Sequence, residues 1–97
     1  MEETKIAELQ NGMRGIAITG EVTETRDPRT FNKFGKEGKV QEVVIKDDSG
    51  EGILVLWNEQ AETLSVGDKV RVSGAYTKEF RGDVQVHISR QGSLEKE

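Results

Sequence analysis

The sequence predicts an all-β fold: five short strands closed into a small Greek-key barrel, with one short helix between the third and fourth strands. Three observations lead there. Stretches of two-residue alternation recur along the chain, their inward positions are aliphatic and mostly β-branched, and turn-forming clusters between them leave room for a single helical segment. A chain of 97 residues has the length of one domain. A domain of that size hides somewhat more than about 60% of its unfolded surface, which allows one small core. Residues 1–97 are therefore read as a single domain with an ordered core over about 6–89 and short frayed ends.

The first strand is "RGIAITGEVTE", Arg14 to Glu24, in which Ile16, Ile18, Gly20 and Val22 share one face. A glycine on the buried side of a strand marks a bend or a close backbone approach. "RDPRTFNKFGKEGK", Arg26 to Lys39, reads as a long loop. "VQEVVIKD", Val40 to Asp47, is the second strand, and "DDSGEG" is a turn in which Asp47, Asp48 and Glu51 are turn formers rather than metal ligands. "ILVLWN", Ile53 to Asn58, completes a hairpin as the third strand. "NEQAETL", Asn58 to Leu64, suits the short helix, with Asn58 as its N-cap and Glu59 favourable in its first turn. "SVGD" ends it. "KVRVSGAY" from Lys69 is the fourth strand, with Val70 and Val72 inward; "TKEFRGD" is a loop; "VQVHI", Val84 to Ile88, is the fifth strand. Closing these strands into a barrel removes exposed edges, and Gly20 and Gly74 are where they can coil. This is the plan of the OB-fold, whose binding surface lies on its second and third strands and in the loops joining strands 1–2 and 4–5.

The five aromatic residues avoid the core positions. Phe31 and Phe34 fall in the 1–2 loop, Trp57 ends the third strand, Tyr76 ends the fourth and Phe80 lies in the 4–5 loop. The expected core is aliphatic: Ile16, Ile18, Val22, Val43, Ile45, Leu54, Leu56, Val70, Val72, Val84, Val86 and Ile88. The third strand is apolar on both faces. If Leu54 and Leu56 fill the barrel, Ile53, Val55 and Trp57 form an outer apolar stripe, the mark of a binding surface, unless Phe31 or Phe34 folds onto Trp57.

Net charge is −4, yet the segment from Arg26 to Lys39 carries five cations (Arg26, Arg29, Lys33, Lys36, Lys39) against two carboxylates. Screening confines such fields to about 8–10 Å, so a local basic patch acts despite the overall sign. Aromatic faces interspersed with cations are what sequence-tolerant binders of single-stranded nucleic acid require: rings stack on bases and cations meet phosphates. The 1–2 loop then reads as a flexible arm closing over an unpaired strand. With no cysteine there is neither a disulfide framework nor a thiolate site, and the single histidine, His87, points off the barrel without a Ser or Cys partner by motif. No cofactor is expected and the chain does not read as an enzyme. No apolar run reaches membrane-span length and the N-terminus lacks a signal-peptide pattern, so an intracellular protein with no membrane contact is expected.

"IAELQNGMRGIAITGEV", "DDSG", "LW", "LSVGDKVRVSGAY" and "FRGDVQV", in that order over Ile6 to Ile88, resemble the OB-fold domains of archaeal replication protein A and the archaeal single-stranded-DNA-binding proteins. The resemblance implies that Trp57, Tyr76 and Phe80 stack on bases and that Phe31, with Phe34 beside it, adds a contact from the 1–2 loop. It also implies that Arg26, Arg29, Lys33, Lys36, Lys39 and Arg81 meet phosphates, and that the setting is DNA replication, repair or recombination in a cytoplasmic, nucleoid-associated location; Val55, in the outer stripe, and Lys78 complete the expected surface. Partners implied are single-stranded DNA and other replication or repair proteins, or other OB domains of one longer polypeptide. Larger members carry several OB domains or a zinc motif, and the simple type ends in a long acidic tail; "QGSLEKE" is too short for one. The chain is then either a domain of a longer protein or a minimal relative. Two other readings stay open: a protein-interaction OB module docking a partner on the same apolar face, and a binder of single-stranded RNA.

Overall fold

The computed structural model describes residues 3–96. Six strands form: β1 (Arg14–Thr25), β2 (Arg29–Lys33), β3 (Lys36–Lys46), β4 (Glu51–Trp57), β5 (Lys69–Phe80) and β6 (Asp83–Lys96). The sheet order is β1-β5-β6-β4-β3-β2, and an additional β1–β3 pairing closes five of the strands into a ring. All neighbours are antiparallel except β4 and β6, which run parallel over Ile53↔Gln85 to Val55↔His87. The expected five-stranded barrel is present, and β2 lies outside it. The second half of β3 pairs β1 and its first half pairs β2, so one strand serves both barrel wall and projecting hairpin.

Alternation fills the barrel as the sequence requires. Ile18, Val22, Val43, Ile45, Leu54, Leu56, Val70, Val72 and Val86 are fully buried, and Ile16 is buried at the margin. Val84 and Ile88 are half-buried rather than central. Ile6, from a single 3₁₀ turn (Ile6–Glu8), plugs the barrel beside Gly20 and Gly52. At Gly20 a Cβ would stand 3.0 Å from the Lys46 carbonyl, which explains the glycine where β1 meets β3. Gly74 sits at φ +62° where the β5 register shifts between Ser73 and Ala75, letting that strand bend around the ring. In the β3–β4 turn, Asp47 accepts hydrogen bonds from the N–H groups of Ile6, Ser49 and Gly50 and from the Ser49 hydroxyl. Burial acts to raise the Asp47 carboxyl, and these hydrogen bonds together outweigh it and hold it at about 2.

Four expectations are corrected. The segment 26–39 is not an open loop, because Arg29–Lys33 pairs with Lys36–Val40 in full register. The loop 77–83 is the end of β5 and a tight turn into β6, with Phe80 opposite Asp83. In place of a helix over Asn58–Leu64 there is one 3₁₀ turn (Asn58–Gln60); Asn58 is no N-cap but sits at φ +52° after an extended Trp57. Its Oδ1 accepts the Lys39 N–H at 3.1 Å, and buried Gln41 holds the segment by accepting the Glu62 N–H at 2.7 Å. Finally, β6 continues past Ser89 to Lys96, pairing with the start of β5 where frayed ends were expected; residues 1, 2 and 97 lie outside the described residues.

Candidate nucleic-acid interface

Two cross-strand rows place side chains on the outer face of the barrel. Arg29, Val40 and Trp57 lie opposite one another on β2, β3 and β4. Glu42, Val55, His87 and Tyr76 form the next row across β3, β4, β6 and β5. With Leu54 and Leu56 buried in the barrel, period-2 geometry turns Val55 and Trp57 outward.

Four rings follow one another across this face. The Phe31 edge meets Trp57 at 5.8 Å between centroids and 81° between planes. Trp57 and His87 lie 6.2 Å apart at 27°, and His87 and Tyr76 lie 5.3 Å apart at 14°. The Trp57 indole N–H donates to His87 Nδ1 at 3.3 Å. His87 is buried between its neighbours, whereas Phe31, Trp57 and Tyr76 are 37%, 41% and 37% exposed, leaving ring surface to offer. Phe31 owes its place to Gly38, its cross-strand partner: a Cβ there would lie 2.6 Å from Phe31 Cε2, so the ring lies over the glycine. An aromatic covering a glycine across a strand pair is a recognised way of pinning both.

The two hairpins bounding this face turn alike. Phe34 and Gly35 have φ of +53° and +74°, and Arg81 and Gly82 have +53° and +85°, the positive pairs of a two-residue type I′ turn. Each turn pairs a cation with a ring. Lys33 Nζ lies 5.7 Å from the Phe34 centroid and the Arg81 guanidinium 5.2 Å from that of Phe80. Phe80 is half exposed and lines the same groove as Trp57; Phe34, at 93% exposure, stands apart from the row.

A groove of about 280 Å³ runs between Trp57 and Phe80. Val40, Val55 and His87 line it, together with Glu42, Gln85, Arg29 and Lys78. Val55 is 3% exposed, so it is a floor under neighbouring side chains rather than the open stripe the alternation predicts.

The expected cations divide into two sets. Arg26 pairs with Glu24 at 3.2 Å and Glu42 at 3.6 Å, Arg29 with Glu42 at 3.7 Å, and Lys39 with Glu62 at 2.9 Å. Lys33, Lys36, Lys78 and Arg81 have no carboxylate at ion-pair distance among the described residues. They stand on the two hairpins that flank the face.

His87 is the residue the sequence reading passed over. Its outward register was legible, but not its place between two rings. The signal was its alignment with Val55 on a strand beside Trp57. Burial first, and the Lys78 charge second, lower its pKa below 6.5. Neutral imidazole with Nδ1 as acceptor carries its hydrogen on Nε2, and Nε2 is buried without a partner among the described residues.

Residues 16–90 match the family model described as OB-fold nucleic acid binding domain. Over 92 residues the chain is 27% identical to the single-stranded DNA binding protein Ssb of Saccharolobus solfataricus, covering 95% of this chain and 62% of that protein. Over 95 residues it is 37% identical to replication factor A of Methanothermobacter thermautotrophicus, covering 93% of this chain and 12% of that protein. The chain thus spans less than two thirds of either relative. The solution structure of a replication factor A related protein from Methanobacterium thermoautotrophicum is similar at a TM-score of 0.82 and 30% identity, over 99% of this chain and 91% of that one.

Proposed function

The chain belongs to the OB-fold nucleic acid binding domain family, and from that premise we propose that it binds single-stranded DNA through stacking on exposed aromatics and phosphate contacts from its two hairpins. One observation carries the reading: the row Phe31–Trp57–His87–Tyr76, with Phe80 across the groove, is flanked on both sides by cations that have no carboxylate at ion-pair distance among the described residues. Every base has a π-face, so each exposed ring contributes about 1–3 kcal/mol per stacked base whatever the sequence. The name of the replication factor A relative supports replication as the setting, and repair and recombination are proposed with it. The role is binding rather than catalysis, inside the cell where unpaired DNA is exposed. Because the chain spans only part of those relatives, neighbouring OB domains or other replication proteins are proposed as partners.

The test is titration of a short dT oligomer into the protein at low salt, following Trp57 fluorescence, beside matched duplex and RNA oligomers. Strong quenching by the single DNA strand with much weaker duplex binding is expected. Equal affinity for RNA would widen the substrate to single strands of either kind. Absence of quenching by any strand would favour the alternative, an OB module docking a protein partner. The pairing of Arg26, Arg29 and Lys39 with carboxylates, which makes part of this face less cationic than its composition, favours that second reading.

A further inference from the structure

Arg14 stands where strand alternation does not put it. Strict alternation along β1 would turn Arg14 inward with Ile16, Ile18 and Val22, and along β5 it would turn Tyr76 inward with Val70 and Val72. Instead both are exposed, while Ile16 and Ala75 beside them are buried. Two β-bulges cause this. From Arg14 to Ile16 β1 advances two residues while β5 advances one, from Tyr76 to Ala75. The additional residue is Gly15, at φ +64°, a conformation that favours glycine. One step further, β5 takes three residues from Ala75 to Val72 against two of β1, and Gly74 lies in that step at φ +62°. Each bulge turns the residues beyond it to the other face. Arg14 and Tyr76 therefore emerge outward as cross-strand partners.

Bulges re-aim side chains beside binding sites. The pair turned outward here extends the row Glu42, Val55, His87, Tyr76 by one strand, onto β1. Its backbone is held. The Met13 N–H donates to the hydroxyl of buried Thr77 at 2.8 Å, and the Thr77 N–H donates to the Met13 carbonyl at 2.9 Å. Arg14 and Tyr76 line a second cleft, of about 570 Å³, together with Gly15, Gly74, Ser89 and Gln91. The stacked His87–Tyr76 pair stands between this cleft and the Trp57–Phe80 groove. No carboxylate lines the cleft, whereas the groove contains Glu42. Among the described residues Arg14 has no carboxylate at ion-pair distance.

We propose that a bound single strand continues past Tyr76 into this cleft, where Arg14 holds the phosphate beyond the base stacked on Tyr76. The proposal rests on the single-strand reading above. A guanidinium presents a fork of N–H donors that matches two phosphate oxygens. Nothing lies within 4 Å of where a Gly15 side chain would stand, which leaves room for a sugar beside it. The hairpin cations gather phosphates at the sides of the face. Arg14 sits on the barrel wall itself and fixes the direction in which the strand leaves the ring row.

The experiment measures the salt dependence of binding to a dT oligomer of about twelve nucleotides, within the site sizes of about 4–16 covered by OB domains. Anisotropy gives the affinity and Trp57 quenching at saturation reports the groove. Arg14→Ala should flatten the slope of log affinity against log salt by about 0.7, one phosphate contact. Between 50 and 200 mM salt the wild type should then lose about 2.6-fold more affinity than the variant. Arg14→Lys keeps the charge and should restore the slope. Lys69→Ala removes the same formal charge from the other end of β5, also without a carboxylate at ion-pair distance among the described residues, and should leave the slope unchanged. Quenching at saturation should be the same in all four proteins. An unchanged slope in Arg14→Ala, equal flattening by Arg14→Ala and Lys69→Ala, or an Arg14→Lys slope as shallow as that of Arg14→Ala overturns the inference and leaves the single-strand reading standing. No binding or quenching with the wild type overturns both.

Discussion

Salt dependence tests the division of the cations directly. Lys33, Lys36, Lys78 and Arg81 have no carboxylate partner among the described residues, whereas Arg26, Arg29 and Lys39 are already paired. If the unpaired set alone releases counterions from phosphates, a single strand gives a slope of about −2.8 for log affinity against log salt, at about −0.7 per phosphate. Raising salt from 50 to 200 mM should then weaken dT binding by about fifty-fold. The double variant Lys33→Ala/Lys36→Ala should flatten the slope by about 1.4. Arg26→Ala/Lys39→Ala removes the same formal charge and should barely change it, because those side chains neutralise Glu24, Glu42 and Glu62 in the free protein. Anisotropy titrations at four or five salt concentrations read all three slopes. The reasoning fails if the two double variants flatten the slope equally, since phosphates would then reach cations regardless of their carboxylates.

Trp57→Ala should weaken single-strand binding by about 1–3 kcal/mol at every salt concentration with little change in stability, and Leu56→Ala should cost about 2–5 kcal/mol of stability as a core truncation; urea melts and titrations together expose an inverted facing of β4 if the two effects exchange. Gly38→Ala should push Phe31 off its seat, so its affinity loss should match that of Phe31→Ala and the double variant should lose no more than either; additive losses would show that the ring does not depend on the glycine. His87 gives a pH signature in the free protein. The unfolded chain takes up the imidazole proton near 6.5 while the folded one resists it, so stability should decline as pH falls through that value and level off once the folded imidazole also protonates. Protonation also removes the acceptor of the Trp57 indole, so Trp fluorescence should change over the folded titration, and both effects should vanish in His87→Phe.

The facing of the barrel strands was legible because period-2 alternation is local: Leu54 and Leu56 against Val55 and Trp57 needs nothing beyond the strand itself. Ile6 was not, since a single 3₁₀ turn is too short to show a period that would single out its one buried residue. The two hairpins were missed for a different reason. Their turns are Phe34–Gly35 and Arg81–Gly82, with a non-glycine residue forced to positive φ where Asn or Asp would announce the turn. The short helix was over-read from Asn58, a residue that suits an N-cap and a left-handed position alike. Among the proposed binding residues, Trp57, Tyr76 and Phe80 follow from position at strand ends. Val55 appeared as a stripe and is a floor, because the larger side chains around it cover it. Which cations carry a free charge is a tertiary fact: Lys39 meets Glu62 and Arg29 meets Glu42 only after the strands pair.

The sharing of β3 between barrel wall and hairpin bears on how fast a strand is caught. An open arm would have to order on each encounter, and that step would appear as a rate that saturates with protein concentration. A hairpin already registered on the wall, with Phe31 seated on Gly38, has little backbone freedom left to surrender. On the proposed single-strand reading, capture would be a docking event paced by diffusion and by attraction to the four hairpin cations that have no carboxylate partner among the described residues, and release would be the unstacking of bases one after another. An open face of this kind holds a strand without enclosing it. On the proposed single-strand reading, bases would leave at one end of the row while the rest stay bound, so a competing strand would peel the DNA away without waiting for the protein to change shape.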